Sequence, residues 1–200
     1  MALSEEQRLN MKKRREKIRD QAITLFSEQG FEGTTIKQVA EAAEVSFGSV
    51  FTYFEDKQQL FYAAVVEPLD DFSAEVLDFN PYAEDLIGEL KRTIHHHVHI
   101  FAGIKNYLTL VVQVVGQSHR FPEPFEQLDQ FHDQLREKIC GLIINGQEKG
   151  LLIKQDPIPV ATLYTSLLIG IRLNNTDSRF NKMWDKYTEP MLQLFGPIKA

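Results

Sequence analysis

From Ile18 to Phe195 the apolar residues of this chain return three and four positions apart, and alternating β-branched runs are scarce. That spacing lines one face of an α-helix, whereas a half-buried strand needs a period of two. Eleven glycines and eight prolines in 200 residues are too few for a linker or a low-complexity tract, so they act as punctuation. The expected fold is all-α, with about nine helices.

Local signals set the helix limits. Ile18, Ala22, Leu25 and Phe26 share one face of a first helix, which Gly30 is placed to stop. Thr35 with Gln38 three residues on reads as a capping box, and Ile36, Val39, Ala40 and Ala43 form the inner face of a second helix. After a break at Glu44-Val45, Ser46 caps a short third helix carrying Val50 and Phe51. Phe54 closes a three-helix core, and a longer helix starts near Asp56 and passes through Leu60, Phe61, Ala64 and Val65. Beyond Asn80-Pro81 the pattern predicts helices over 83–103, 106–117, 124–149, 157–175 and 182–195. Gly150 ends one of them, and Pro157 and Pro159 open the next.

Charge is unevenly spread. The net charge is −6, which argues against a general nucleic-acid coat. Between Arg8 and Arg19, however, seven basic residues face one acid, while residues 58–200 hold 13 basic against 18 acidic residues. A basic N-terminal arm, centred on Lys12, Lys13, Arg14 and Arg15, thus precedes and enters the first helix of an otherwise acidic chain. No apolar run approaches the length of a membrane span, and the basic start is followed by charge, not by a signal-peptide core. A cytoplasmic protein without a membrane partner is expected. The single cysteine, Cys140, excludes an intrachain disulfide and is read as an inert thiol among Ile139, Leu142 and Ile143.

Residues 31–60 carry the strongest functional signal. Two short helices joined by a tight turn follow a basic helix, which is the arrangement a helix-turn-helix needs: one helix braces, the other enters the major groove. Ser46, Gly48 and Ser49 keep the start of that second helix small enough to approach base edges. The stretch from about 15 to 62 resembles the TetR family of transcriptional regulators, through Gly30, Thr34-Thr35, Val39-Ala40, Ala43, Val45-Ser46, Gly48-Ser49, Phe51, Tyr53-Phe54 and Lys57. The resemblance implies an N-terminal DNA-binding domain (1–56) and a C-terminal ligand-binding and dimerisation domain (57–200). It implies backbone contacts from Thr35 and Lys37, base reading by Ser46, Phe47, Gly48 and Ser49, and phosphate contacts from Thr52, Tyr53 and Lys57. Three positions depart from the family. Phe51 lacks the hydroxyl of a common tyrosine and is assigned to packing. Phe47 replaces a small or polar residue and could meet a thymine methyl. Glu44 stands where the turn commonly has glycine, so the turn is expected to differ.

The resemblance also implies a homodimer on a palindromic operator, and a small, largely apolar effector that releases it, with repression the family norm. Leu163, Leu167 and Ile171, with Met191, Leu194 and Phe195, form two apolar stripes assigned to the dimer interface. Phe72, Phe101, Tyr107, Leu108, Val111, Phe131 and Tyr164 are candidate effector contacts, although a pocket lining and an ordinary core share the same periodicity. Effector binding is expected to act through the helix from about 57 to 79, with a coupling of ~1–3 kcal/mol. His95 and His99 share a helix face, as metal-ligating pairs do, but no acid or cysteine lies nearby at a matching offset. A di-metal enzyme would need Glu-x-x-His pairs, and Arg92 stands three before His95. No cofactor, no metal and no enzyme activity are expected. A DNA-binding adaptor without a ligand is the alternative.

Overall fold

Ser4 opens the first element. Its hydroxyl accepts the Gln7 backbone N–H at 3.2 Å while its own N–H donates to Gln7 Oε1 at 2.9 Å, a reciprocal cap. Helix α1 therefore spans Glu5–Gly33. In the computed structural model, which describes residues 4–174 and 183–198, the basic stretch is helical throughout and is not an extended arm. Gly30, at φ 73° and ψ 175°, breaks α1 where a stop was expected, and a last turn follows it. Only glycine takes that backbone shape without strain.

Helices α2 (Ile36–Ala42) and α3 (Phe47–Val50) begin at the caps read from the sequence, Thr35 and Ser46. Next come α4 (Lys57–Val76), α5 (Leu86–Gly103), α6 (Lys105–Gly116), α7 (Pro122–Glu148) and α8 (Pro157–Asn174). Where one helix was expected over 182–195, a 3-10 helix (Trp184–Tyr187) precedes a short α9 (Thr188–Leu194). Pro190 accounts for the late start, because proline is tolerated in a first helical turn but not in a helix interior. The expected limits at 175 and 182 lie outside the described residues. Among those residues there are nine α-helices, and no single helix is long and apolar enough to cross a membrane.

Two compact units emerge. The first joins Met1–Asp70 to Thr109–Gln127, and the second joins Asp71–Leu108 to Leu128–Ala200. In the first, Ile18, Ala22 and Phe26 of α1 are buried with Val39 and Ala40 of α2, Val50 of α3 and Phe54, Leu60 and Phe61. Residues 109–127 join this unit through Phe121, whose ring is 5.7 Å from Phe31 and 4.6 Å from Phe61, and through Gln113, which donates to the Ser27 carbonyl at 2.9 Å.

The second unit is built on α5. Leu86, Leu90, Ile94, Val98 and Phe101 present one face to Leu135, Ile139, Leu142 and Ile143 of α7 and to Val160, Ala161, Tyr164 and Leu168 of α8. Gly150, at φ 68°, ends α7 by turning the chain so that the Leu151 N–H reaches the Gly146 carbonyl at 2.8 Å. The end of α4 would leave carbonyls without partners. Side chains from α5 and α7 supply donors: His97 to Val76 O at 2.7 Å, Lys138 to Leu77 O at 2.5 Å and Arg92 to Asp78 O at 3.1 Å.

Candidate nucleic-acid interface

The site is assembled from α2, the turn and α3. Thr35 and Gln38 complete the capping box, with Thr35 N–H donating to Gln38 Oε1 at 2.7 Å and Gln38 N–H to Thr35 Oγ1 at 3.2 Å. The turn holds a left-handed residue: Glu44 sits at φ 57°, a conformation that costs a non-glycine residue about 1 kcal/mol. Lys17 Nζ donates to the Glu44 carboxylate at 2.6 Å, and this hydrogen bond and charge hold Glu44 below the usual carboxylate range. Ser46 caps α3 by accepting the Ser49 N–H at 3.2 Å, and the two serine hydroxyls lie 2.6 Å apart.

On the outer side of α3, Ser46, Phe47 and Gly48 are exposed and Ser49 is half-buried, so the four residues expected to read bases share the open start of one short helix. Phe47 is 55% exposed and Phe51 45% exposed, with the rings edge to face at 5.2 Å. Phe51 is therefore not packed into the core, contrary to expectation, because the core position at this end of α3 is taken by Val50 and by Phe54 just beyond it. Thr52 and Lys37 are exposed, and Lys37 is 3.9 Å from Glu41 on the next turn. Lys57 is half-buried, its ammonium 4.4 Å above the Phe31 ring.

The basic residues of α1 divide into two groups. Lys13, Arg14 and Lys17 line one shallow groove with Gln7, Asn10, Met11 and the half-buried Tyr53, and Lys12 is exposed beside Glu16 at 3.7 Å. Arg15 is turned to a structural task. Its guanidinium donates to both Glu67 oxygens, at 2.7 and 2.5 Å, and lies 4.7 Å from the Phe54 ring centre. Burial pushes the Glu67 carboxyl up, but the Arg15 hydrogen bond and the charges of Arg15 and Arg19 outweigh it and hold Glu67 below its usual range. Nothing in the sequence marked this pair, whose members are 52 positions apart.

In the second unit the two stripes assigned to a dimer interface separate. Leu163 and Leu167 of α8 are 53% and 41% exposed and Ile171 is half-buried, whereas Met191 and Phe195 are only 3% and 1% exposed. The last two are core: Phe195 packs edge to face on Tyr164 at 5.2 Å. Leu194 is half-buried against the same core. The effector candidates also divide. Phe72 meets Tyr107 at 5.6 Å and Phe131 at 5.8 Å, and Phe101, Leu108 and Tyr164 are buried in the same unit. Val111 belongs to the first unit and does not join them.

The histidines take different roles. His97, 1% exposed, lies between the Tyr164 hydroxyl at 2.8 Å and the Val76 carbonyl. A carbonyl only accepts, so Nε2 carries the proton and Nδ1 accepts from Tyr164. Burial pushes His97 down to about 4, so the ring is neutral at pH 7, and burial pushes the Tyr164 phenol up. Burial likewise raises the half-buried Cys140 thiol, which fits an inert group. His95 and His99 are exposed and face Asp185.

Comparison with known proteins bears on this geometry. A family model described as bacterial regulatory proteins, tetR family, matches residues 18–64. The HTH-type transcriptional regulator HbdR of Aromatoleum sp. (strain CIB) is 39% identical over 66 residues, which are 33% of this chain and 29% of that protein. The HTH-type transcriptional repressor AcnR of Corynebacterium efficiens is 27% identical over 150 residues, 75% of this chain and 74% of its own length. A bacterial regulatory protein in the tetR family from Rhodococcus RHA1 superposes with a TM-score of 0.77 at 23% identity, over 94% of this chain and 99% of the other. AibR, solved in complex with isovaleryl coenzyme A and operator DNA, superposes at 0.70 with 18% identity, over 92% and 100%. At such identities the superpositions establish the all-α fold, and residues 18–64 carry the family match. Residues 18–64, which hold the helix-turn-helix, thus match the tetR family of bacterial regulatory proteins, and the fold is similar to that of solved members of that family.

Proposed function

We propose that the protein is an effector-responsive transcriptional repressor, working in the cytoplasm as a homodimer on a palindromic operator. The observation that carries this reading is the open, Ser46-capped start of α3, where Phe47 and Gly48 are exposed and Ser49 is half-buried. Residues 1–56 form the reading domain in this proposal, and 57–200 the effector-binding and dimerising domain. Ser46, Phe47, Gly48 and Ser49 meet base edges. Thr35, Lys37, Thr52, Tyr53 and Lys57 meet the backbone, and Lys13 and Arg14 add phosphate contacts from α1, where Lys12 also projects. Arg15 leaves that set, since its charge is held by Glu67. The exposed α8 residues Leu163 and Leu167, with Ile171, form the dimer seam, and Gly170, with open space where a Cβ would stand, allows the mate to approach.

The structure of AibR with isovaleryl coenzyme A and operator DNA supports a regulator of this fold taking both ligands. The candidate effector contacts here are Phe72, Phe101, Tyr107, Leu108, Phe131 and Tyr164, which favour a largely apolar molecule.

Selection of bound sequences from a random DNA pool, followed by anisotropy titrations, tests the proposal. An inverted repeat should emerge. Lys13→Ala and Arg14→Ala should each weaken binding to all sequences and flatten the dependence of log K on log salt by about one unit. Failure to enrich any inverted repeat, with non-specific binding alone, would overturn the reading.

A further inference from the structure

The geometry points to a transition-metal site on the second unit, formed by His95, His99 and Asp185. His95 and His99 lie four residues apart on α5, one turn above the other, with ring centres 4.5 Å apart. The 3-10 helix Trp184–Tyr187 packs against α5 and brings Asp185 to them, Oδ1 lying 2.7 Å from His99 Nε2 and 3.9 Å from His95 Nδ1. One ligand atom from each residue falls within 4.8 Å of the other two. A single ion bound at ~2.0–2.2 Å to each of three such atoms needs separations of this order, so the side chains require little movement. The chain order hides the site, since Asp185 is 86 residues beyond His99.

The donor set names the metal class. Two imidazoles and one carboxylate suit zinc, and also copper(II) or nickel(II), in preference to the all-oxygen shells of magnesium or calcium. All three side chains are exposed, so the ion can enter from solvent and no buried charge is created. Lys91, one turn before His95, bonds Glu189 at 3.0 Å. Three protein ligands leave a fourth tetrahedral position for water or a small anionic donor. The ion would replace the His99–Asp185 hydrogen bond and fasten the 3-10 helix to α5.

A second group, Asp129, His132 and Asp133, has comparable spacing but weaker claims. His132 Nε2 is engaged by Thr165 Oγ1 at 3.0 Å, and Asp133 is held by Arg136 at 2.6 Å, which places a cation beside the would-be ligands.

Untagged full-length protein, stripped with EDTA and dialysed, is titrated with zinc sulfate by calorimetry, and its melting temperature is followed with and without zinc. One zinc per chain should bind, with a rise in Tm. His95→Ala, His99→Ala and Asp185→Asn should each weaken binding at least about tenfold and abolish the Tm rise, while His132→Ala should bind as the parent does. Cobalt(II) should give the visible absorption of a four-coordinate ion, lost in His99→Ala. The three residues are exposed, so circular dichroism of the variants should match the parent. Lack of saturable zinc binding overturns the inference. So does binding that survives the His95→Ala/His99→Ala double substitution, or that is lost in His132→Ala instead.

Discussion

Arg15 and Glu67 form a doubly hydrogen-bonded ion pair within the first unit. Glu67 titrates near 4.5 in an unfolded chain and lower when folded. The folded state thus binds fewer protons, and the pair stabilises fully above that value and loses its effect as pH falls below it through the folded value. Glu67→Gln should cost about 1 kcal/mol or less at pH 7, the pair being partly exposed, and should flatten the loss of stability in urea melts as pH falls below the ordinary carboxylate range. Glu44 offers a second test at this scale. Its positive φ favours glycine, so Glu44→Gly should melt above Glu44→Ala, because both lose the Lys17 contact and only the first relieves the backbone. Equal melting points would mean that the turn stores no strain. Caps such as Thr35 with Gln38, or Ser46 with Ser49, were legible in the sequence because donor and acceptor are three residues apart. Arg15–Glu67 and His99–Asp185 were not, because only the folded chain brings them together.

At the scale of elements, α8 and α9 show how periodicity misleads. Tyr187, Met191, Leu194 and Phe195 recur as an interface stripe would, yet Met191 and Phe195 are sealed inside one chain. A helix face records that it is covered, not by what. The distinction is measurable. Phe195→Ala should destabilise the folded chain by ~3–5 kcal/mol, as truncation of a buried phenyl does. Leu163→Glu with Leu167→Glu should leave helical content intact and, on the proposed function, shift sedimentation to the monomer. If the double variant stayed dimeric, the seam would lie elsewhere. The three donors at the end of α4, His97, Lys138 and Arg92, carry the same lesson, since α4 holds no basic residue in its last turn and draws them from other helices.

For the molecule as a whole, the helical class and the head motif were readable because each follows from spacing within a few dozen residues. The grouping of residues 109–127 with the first unit was not. Residues 109–127 cluster with the first unit through Phe121, Gln113 and Arg120, the last paired with Glu32. Those contacts join positions sixty or more apart, beyond the reach of any local pattern. The exposed pair of rings at Phe47 and Phe51 has a thermodynamic corollary. Benzyl groups kept in water by the free protein and covered in a complex give association a negative heat capacity. Calorimetry at several temperatures on the selected DNA should find that coefficient smaller in magnitude for Phe47→Ala; an unaltered coefficient would mean that the rings stay wet when the duplex is bound.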